Sequence, residues 1–204
     1  MSFMICEVKI LDNYNFFAMT SRMKYINRWG LMRNTIPENI AEHSLEVGMI
    51  AHALAVINNV YFNGNVDANE VAVMAMYHDV PEIITGDLPT PIKYFAPEIR
   101  DAYKVVEETA INKLVSSLPE EMKPVYENIL NEENRNKESQ LLVKAADKIS
   151  ALIKCVEEKR MGNSDFLEAE KSTIEAIKKL DCKEADYFVD KFLDAYSLTL
   201  DEQA

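Results

Sequence analysis

Three histidines occur in the 204-residue sequence, His43, His52 and His78, and one of them is followed directly by an aspartate. The pair His78-Asp79 offers a ring nitrogen and a carboxylate oxygen side by side. Zn, Mn, Fe or Co accepts such a mixed set more readily than Ca or Mg, which prefer oxygen alone. Standing by itself, the dipeptide reads equally as a polar helix terminus in solvent. His43 sits in Glu42-His43-Ser44 near the start of a helical run, on the side that carries Val47 and Ile50. Taken alone, it also fits a satisfied, half-buried imidazole. His52 lies nine residues further on. At about 100° per residue, nine steps turn roughly 900° and reach the opposite face, so His52 is expected to serve packing or a hydrogen bond rather than share an ion with His43. The fourth candidate is Asp147, between Val143 and Ala151 on neighbouring turns. A carboxylate among small and apolar residues is costly to bury without a partner. A cation is one such partner, and an outward ion pair with Lys144 or Lys148 is the other.

These side chains need long, rigid elements, and the sequence supplies helices almost throughout. Five glycines and seven prolines are few for 204 residues and favour uninterrupted helices over a turn-rich β fold. The apolar pattern predicts helices over 16–26, 40–58, 68–79, 97–118, 119–130, 139–161, 164–180 and 183–196. In the second of these the apolar positions are Leu45, Val47, Met49, Ile50, Leu54 and Ile57. Asp67 reads as an N-cap with Glu70 completing a capping box, and Asn63-Gly64-Asn65 as the turn before it. Pro81 disfavours helical geometry at Val80 and places a break just after His78-Asp79. Residues 86–91, Gly-Asp-Leu-Pro-Thr-Pro, form a stiff loop, residues 131–138 a polar linker, and Gly162-Asn163 a helix stop. No run alternates as a strand would.

Composition limits the partners. With a formal net charge of -12, the chain's average field repels a nucleic-acid polymer. A small anion remains acceptable, because a metal ion and one or two arginines can reverse the potential locally. Cys6, Cys155 and Cys182 are odd in number and far apart, which argues against a disulfide framework and for a reducing cytoplasm. No signal peptide is evident at the start, and no stretch is expected to be long and apolar enough to cross a bilayer.

An isolated His, a later His-Asp pair and a distant Asp on another helix form the pattern of the HD-domain phosphohydrolases. Within that superfamily the chain resembles the bacterial 5'-deoxynucleotidases of the YfbR type. The resemblance is carried by Asn27-Arg28-Trp29, Leu31-Met32-Arg33-Asn34, Glu38-Asn39, Glu42-His43-Ser44-Leu45, Ala75-Met76-Tyr77-His78-Asp79, Glu82, and Thr85-Gly86-Asp87-Leu88-Pro89-Thr90-Pro91. Val143-Lys144-Ala145-Ala146-Asp147 and Leu198-Thr199-Leu200-Asp201-Glu202 also fit. The match begins near residue 14, which leaves residues 1–13 as an N-terminal extension and 14–204 as a single domain.

The resemblance implies an all-α, HD-domain helical bundle. It implies one divalent metal ion (Co, Mn, Zn or Fe) held by His43, His78, Asp79 and Asp147, with positions left for water and a phosphate oxygen. The implied reaction is hydrolysis of deoxyribonucleoside 5'-monophosphates to deoxynucleoside and phosphate. In it Arg28 grips the phosphate, and Glu82 orients the water or exchanges a proton with the leaving oxygen. Asp87 meets the sugar 3'-hydroxyl beside Leu88, Pro89 and Thr90, and Trp29 disfavours a 2'-hydroxyl. A homodimer is implied as well. Pro81 and Gly30 depart from the family pattern, which has a small or polar residue and a proline there. Two other readings are a triphosphohydrolase acting on deoxynucleoside triphosphates and a non-catalytic nucleotide-binding module.

Overall fold

The computed structural model describes residues 14–93, 95–131 and 136–203, with only the backbone described at position 90. The segment read as an N-terminal extension, 1–13, lies outside the described residues, as does the Thr90 side chain. Among the described residues the architecture is all-helical, as expected, and the sole β contact is an isolated bridge between Asn27 and Asn39.

The helices are α1 (Phe16–Thr20), α2 (Ile40–Tyr61), α3 (Ala68–Met76), α4 (Glu82–Thr85), α5 (Thr90–Lys93), α6 (Pro97–Ser116) and α7 (Lys123–Leu130). They continue with α8 (Lys137–Arg160), α9 (Leu167–Lys179), α10 (Lys183–Phe192) and α11 (Leu200–Gln203). Short 3₁₀ turns follow α1 and α10 and precede α9. The two long helices, α2 and α8, cross at the centre of the molecule. Their starts are fixed by side chains: Asn39 and Glu42 form a reciprocal capping box on α2, and Asn136 accepts the Ser139 amide at α8. Asp67 caps α3 as predicted, accepting from the Asn69 and Glu70 amides, but the reciprocal box belongs to α2 instead.

Two apolar clusters make the core. The larger joins α2, α3, α8, α9 and α10 through Val47, Ile50, Leu54, Met74, Ile149, Leu152, Ile177 and Phe188. The smaller joins the N-terminal segment to α6 and α7 through Phe16, Met23, Ile40, Val80, Leu114 and Leu130. His43 lies in α2 between Ile40 of the smaller cluster and Val47 of the larger, and Asp79 directly precedes Val80. The candidate ligands therefore stand on the seam between two rigid bodies of packed side chains.

Several expectations need correction. The third helix was expected to reach Asp79 but ends at Met76. Pro81 cannot donate to the Tyr77 carbonyl. The chain instead tightens into successive three-residue steps, from His78 N to Ala75 O, Val80 N to Tyr77 O and Glu82 N to Asp79 O. The helix expected over 119–130 begins only at Lys123, after a turn at Pro119. Residues 90–93, the first two of them expected in the stiff loop over 86–91, form a short helix, as do residues 200–203. Leu45 and Met49, expected on the apolar face of α2, are exposed, and so is His52, which packs against nothing in the core. Finally, α2 is by length and composition apolar enough to cross a bilayer, with mean hydropathy 1.3 over an 18-residue window of its 22 residues. Its apolarity has a local cause, since most of that window is buried inside the bundle.

Candidate metal centre

Five segments converge on the seam. The first turn of α2 presents His43, the tight turns after α3 present His78 and Asp79, and α4 presents Glu82. The third turn of α8 presents Asp147, and the strap over residues 26–39 presents Arg28, Trp29 and Glu38. One ligand atom from each of His43, His78 and Asp79 lies within 4.8 Å of the others. His43 Nε2 is 3.5 Å from Asp79 Oδ2 and 3.3 Å from Asp147 Oδ1, and His78 Nε2 is 3.1 Å from Asp79 Oδ1. Asp147 divides its oxygens: Oδ2 accepts from Lys148 Nζ at 2.9 Å, while Oδ1 faces His43. Of the two partners the sequence left open for Asp147, the Lys148 ion pair is present, and the second oxygen faces His43.

The donor chemistry of this group fits a cation. His78 Nδ1 lies 2.7 Å from the Ala75 carbonyl, so its proton is donated there and Nε2 carries a bare lone pair. His43 Nε2 and His78 Nε2 are both buried, and neither makes a hydrogen bond. Burial lowers the pKa of His43, and the nearby Arg28 charge lowers it further, so the ring is held neutral as a ligand requires. Burial opposes ionisation of Asp147, and the Lys148 charge 2.9 Å away helps hold the carboxyl well below its usual range. Bare nitrogens and ionised oxygens thus face one another with no donor between them. A divalent ion is the group that such an arrangement lacks.

Around this centre the charges alternate. Arg28 Nη1 donates to Glu38 Oε2 at 2.8 Å, and its Nη2 stands 3.8 Å from Asp147 Oδ1. Burial works against the guanidinium charge, but Glu38, Asp147, Asp79 and Asp87 together raise its pKa. The Trp29 indole donates to the same Glu38 oxygen at 3.0 Å and packs on Phe166 with ring centroids 5.2 Å apart. Burial raises the pKa of Asp87 against the pull of the Arg28 charge and the Trp29 backbone, which places Trp29 and Asp87 on one wall. Trp29 has φ 60, in the left-handed region that a bulky side chain rarely adopts. Glu82 is half-buried, its covered Oε2 has no partner, and desolvation with the charges of Asp79 and Asp87 pushes its pKa up to about 10. Leu88 and Pro89 are half-buried in the loop behind Asp87. That loop is anchored by Tyr103, whose hydroxyl donates to the Gly86 carbonyl at 2.9 Å.

Four supporting residues were not read from the sequence. Glu38 was visible only as part of a motif, with no role. Glu46 and Ser150 lie behind His43, and each stands three residues after a candidate ligand, Glu46 after His43 and Ser150 after Asp147. That spacing, one helical turn, is the signal that could have found them. Glu158, on the last turns of α8, fastens the strap: it accepts the Thr35 and Ile36 amides at 2.9 and 3.2 Å and Asn163 Nδ2 at 2.8 Å.

Comparison with known proteins agrees with this geometry. The family described as 5'-deoxynucleotidase YfbR-like matches residues 15–196. A 5'-deoxynucleotidase of Enterobacter sp. (strain 638) is 48% identical over 192 residues, covering 94% of this chain and 96% of that protein. The 5'-deoxynucleotidase YfbR of Shigella boydii is 48% identical and covers 92% of this chain and 94% of that protein. Among solved structures, an HD-domain phosphohydrolase from Listeria innocua superposes with TM-score 0.79 at 24% identity, over 90% of this chain and 88% of that one. A cyanophage S-2L HD phosphohydrolase, bound to dA and one catalytic Zn²⁺ ion, has TM-score 0.64 at 20% identity, over 87% of this chain and 96% of that one. At such identities the two structures speak for the fold alone.

Proposed function

The chain belongs to the YfbR-like 5'-deoxynucleotidase family, and from that premise we propose that it hydrolyses deoxyribonucleoside 5'-monophosphates to deoxynucleoside and phosphate. The observation that carries the reading is the pair of buried, unpartnered imidazole nitrogens of His43 and His78 facing the Asp79 and Asp147 carboxylates. We assign these four residues to one divalent ion, Co, Mn, Zn or Fe, since mixed nitrogen and oxygen donors suit such metals. When bound, the ion supplies an acidified water and neutralises phosphoryl charge.

The protein's own groups do the rest. Arg28, pre-formed and always charged, grips the phosphate from the strap side. Water adds to phosphorus as the bond to the 5'-oxygen breaks. Glu82 gives a proton to that leaving oxygen and takes one in turn from the attacking water. Asp87 accepts a hydrogen bond from the sugar 3'-hydroxyl, and the stiff segment Leu88-Pro89-Thr90 holds it there. The Trp29 indole, tied to Glu38 and Phe166, forms a wall where a 2'-hydroxyl would be desolvated without a partner.

A homodimer is part of the proposal. Leu45, Met49, Val56 and Val60 stand exposed at helical spacing along one side of α2, a stripe that a second copy would cover. Residues 14–204 act as the single catalytic unit, in a reducing cytoplasm where Cys155 and Cys182 stay free and buried.

The test is phosphate release from deoxyadenosine and adenosine monophosphates with each metal added to stripped protein. Metal-dependent turnover that favours the deoxy substrate is expected, and Trp29→Ala should narrow the preference by about tenfold. Equal rates for both sugars in the wild type would remove the selectivity claim. Light scattering reads the dimer, and Met49→Glu should yield monomers.

A further inference from the structure

We propose that Glu46 and Ser150 form a relay that fixes the proton of His43 on Nδ1 and so leaves Nε2 bare toward His78, Asp79 and Asp147. The inference rests on the metal-dependent reading above and deepens it, because it names the side chains that make His43 a ligand.

His43 Nδ1 has two neighbours with opposite demands. Arg28 Nη1, 2.9 Å away, can only donate. Ser150 Oγ, 3.0 Å away, can donate or accept. If Nδ1 accepted from Arg28, the one proton of the neutral ring would sit on Nε2 and point into the centre. That tautomer cannot ligate an ion through Nε2. The choice therefore depends on what Ser150 does with its hydroxyl proton.

Glu46 settles it. Its Oε2 lies 2.5 Å from Ser150 Oγ, a separation typical of a hydroxyl donating to a carboxylate. A hydroxyl with its proton committed offers only lone pairs, so toward the ring Ser150 accepts, and the ring donates from Nδ1, while Arg28 Nη1 donates to Glu38 Oε2 instead. His43 and Ser150 are both buried, at 1% and 0% exposure, so solvent offers no competing partner. The relay also runs between the two central helices, since Glu46 belongs to α2 and Ser150 to α8. His78 has its proton fixed by a different means, the main-chain carbonyl of Ala75. One imidazole is thus oriented by backbone and the other by two side chains, and only the second arrangement can be removed by substitution. Glu46 and Ser150 touch neither substrate nor ion. They are positioning residues, acting through His43.

Two measurements on the full chain test the relay. Long-range proton–nitrogen correlation spectra of ¹⁵N-histidine-labelled, metal-free protein report the tautomer directly. The wild type should show His43 protonated on Nδ1, as should Glu46→Gln, which keeps an acceptor oxygen. Ser150→Ala and Glu46→Leu should move the proton to Nε2. Calorimetric titration with Mn²⁺ should then show affinity weakened about tenfold in Ser150→Ala and Glu46→Leu, with the double variant no weaker than Ser150→Ala alone. Turnover of these variants should recover in excess Mn²⁺.

An unchanged His43 tautomer in Ser150→Ala, with Mn²⁺ affinity within about twofold of wild type, would overturn the relay while leaving the metal-dependent reading intact. A tautomer shift in a wild-type-folded variant, alongside a wild type that binds no ion, would instead defeat the metal reading and leave the relay standing.

Discussion

The helix α8 carries two polar stations, Asp147 and Glu158, about three turns apart, and they are built on opposite principles. At Glu158 every demand is met. The carboxylate accepts from the Thr35 and Ile36 amides and Asn163, and Lys154 Nζ, buried beside it, donates at 2.5 Å while also reaching the Ile36 carbonyl. At Asp147 the demands are left open: His43 Nε2, His78 Nε2 and one Glu82 oxygen are buried without partners. The first station holds the strap that bears Arg28 and Trp29. The second gathers buried polar groups that no protein donor meets. The contrast shows how a folded chain can be read for function: buried polar groups that are satisfied stabilise, and those that are not are waiting for something.

The sharpest way to break the contrast is at the open station. Asp79→Ala or His78→Ala should lower turnover by roughly 10³ or more, while the metal-free protein keeps its helical circular dichroism and melts no earlier. A matching loss of fold would mean that the acceptors are structural after all. Next is Glu82→Gln, expected to cost about 10²- to 10⁴-fold in turnover. Its stability signature is distinctive. Glu82 titrates at about 10 in the folded chain against about 4.3 unfolded. Between those values the metal-free folded state binds the extra proton, so its stability falls as pH rises. Thermal melts should show Glu82→Gln above wild type at pH 8 and the gap closing toward pH 5.

The satisfied station should respond in the reverse sense. Glu158→Gln strands the buried Lys154 ammonium and should cost about 3 kcal/mol or more in urea unfolding. The pH dependence also runs the other way. Burial opposes ionisation of Glu158, but Lys154, Asn163 and Thr35 overcome it and hold the carboxyl at about 2. Its contribution is complete above the unfolded value of about 4.3 and is lost as pH falls from there toward 2. Acid should therefore destabilise the wild type more steeply than Glu158→Gln. The smallest effect belongs to Gly30, where an added methyl meets nothing within 4 Å and φ is not positive. Gly30→Ala should gain about 0.4–1 kcal/mol through the unfolded chain, with turnover unchanged.

Much of the open station was legible in the sequence, because adjacency and helical spacing are local properties. His78-Asp79 stands out as a dipeptide, and His43 shares a face with Val47 and Ile50, both buried as expected. The helix-breaking effect of Pro81 was legible too, but not how far back it reaches. Losing one donor at Pro81 ended α3 at Met76 and set the His-Asp pair on tight turns. The satisfied station was not legible. Glu158 and Thr35 are 123 residues apart, so no local pattern joins them. Leu45 and Met49 could not be separated from the buried apolar residues of α2, since periodicity marks a stripe but not which neighbour covers it.

The strap has its own tension. Trp29 occupies left-handed backbone, while the glycine that would sit there without penalty is one place further along, at Gly30. A residue with a Cβ in that region raises the local energy by about 1–2 kcal/mol. Bonds from Arg28 N to Glu38 O and from Ile40 N to Ile26 O hold the two ends of the strap against it. Comfort of the main chain and placement of the indole are therefore in competition at one residue. Trp29→Gly would relieve the strain but release the strap from Glu38 and Phe166, so amide exchange along residues 29–36 should quicken as the enzyme loses its discrimination between sugars.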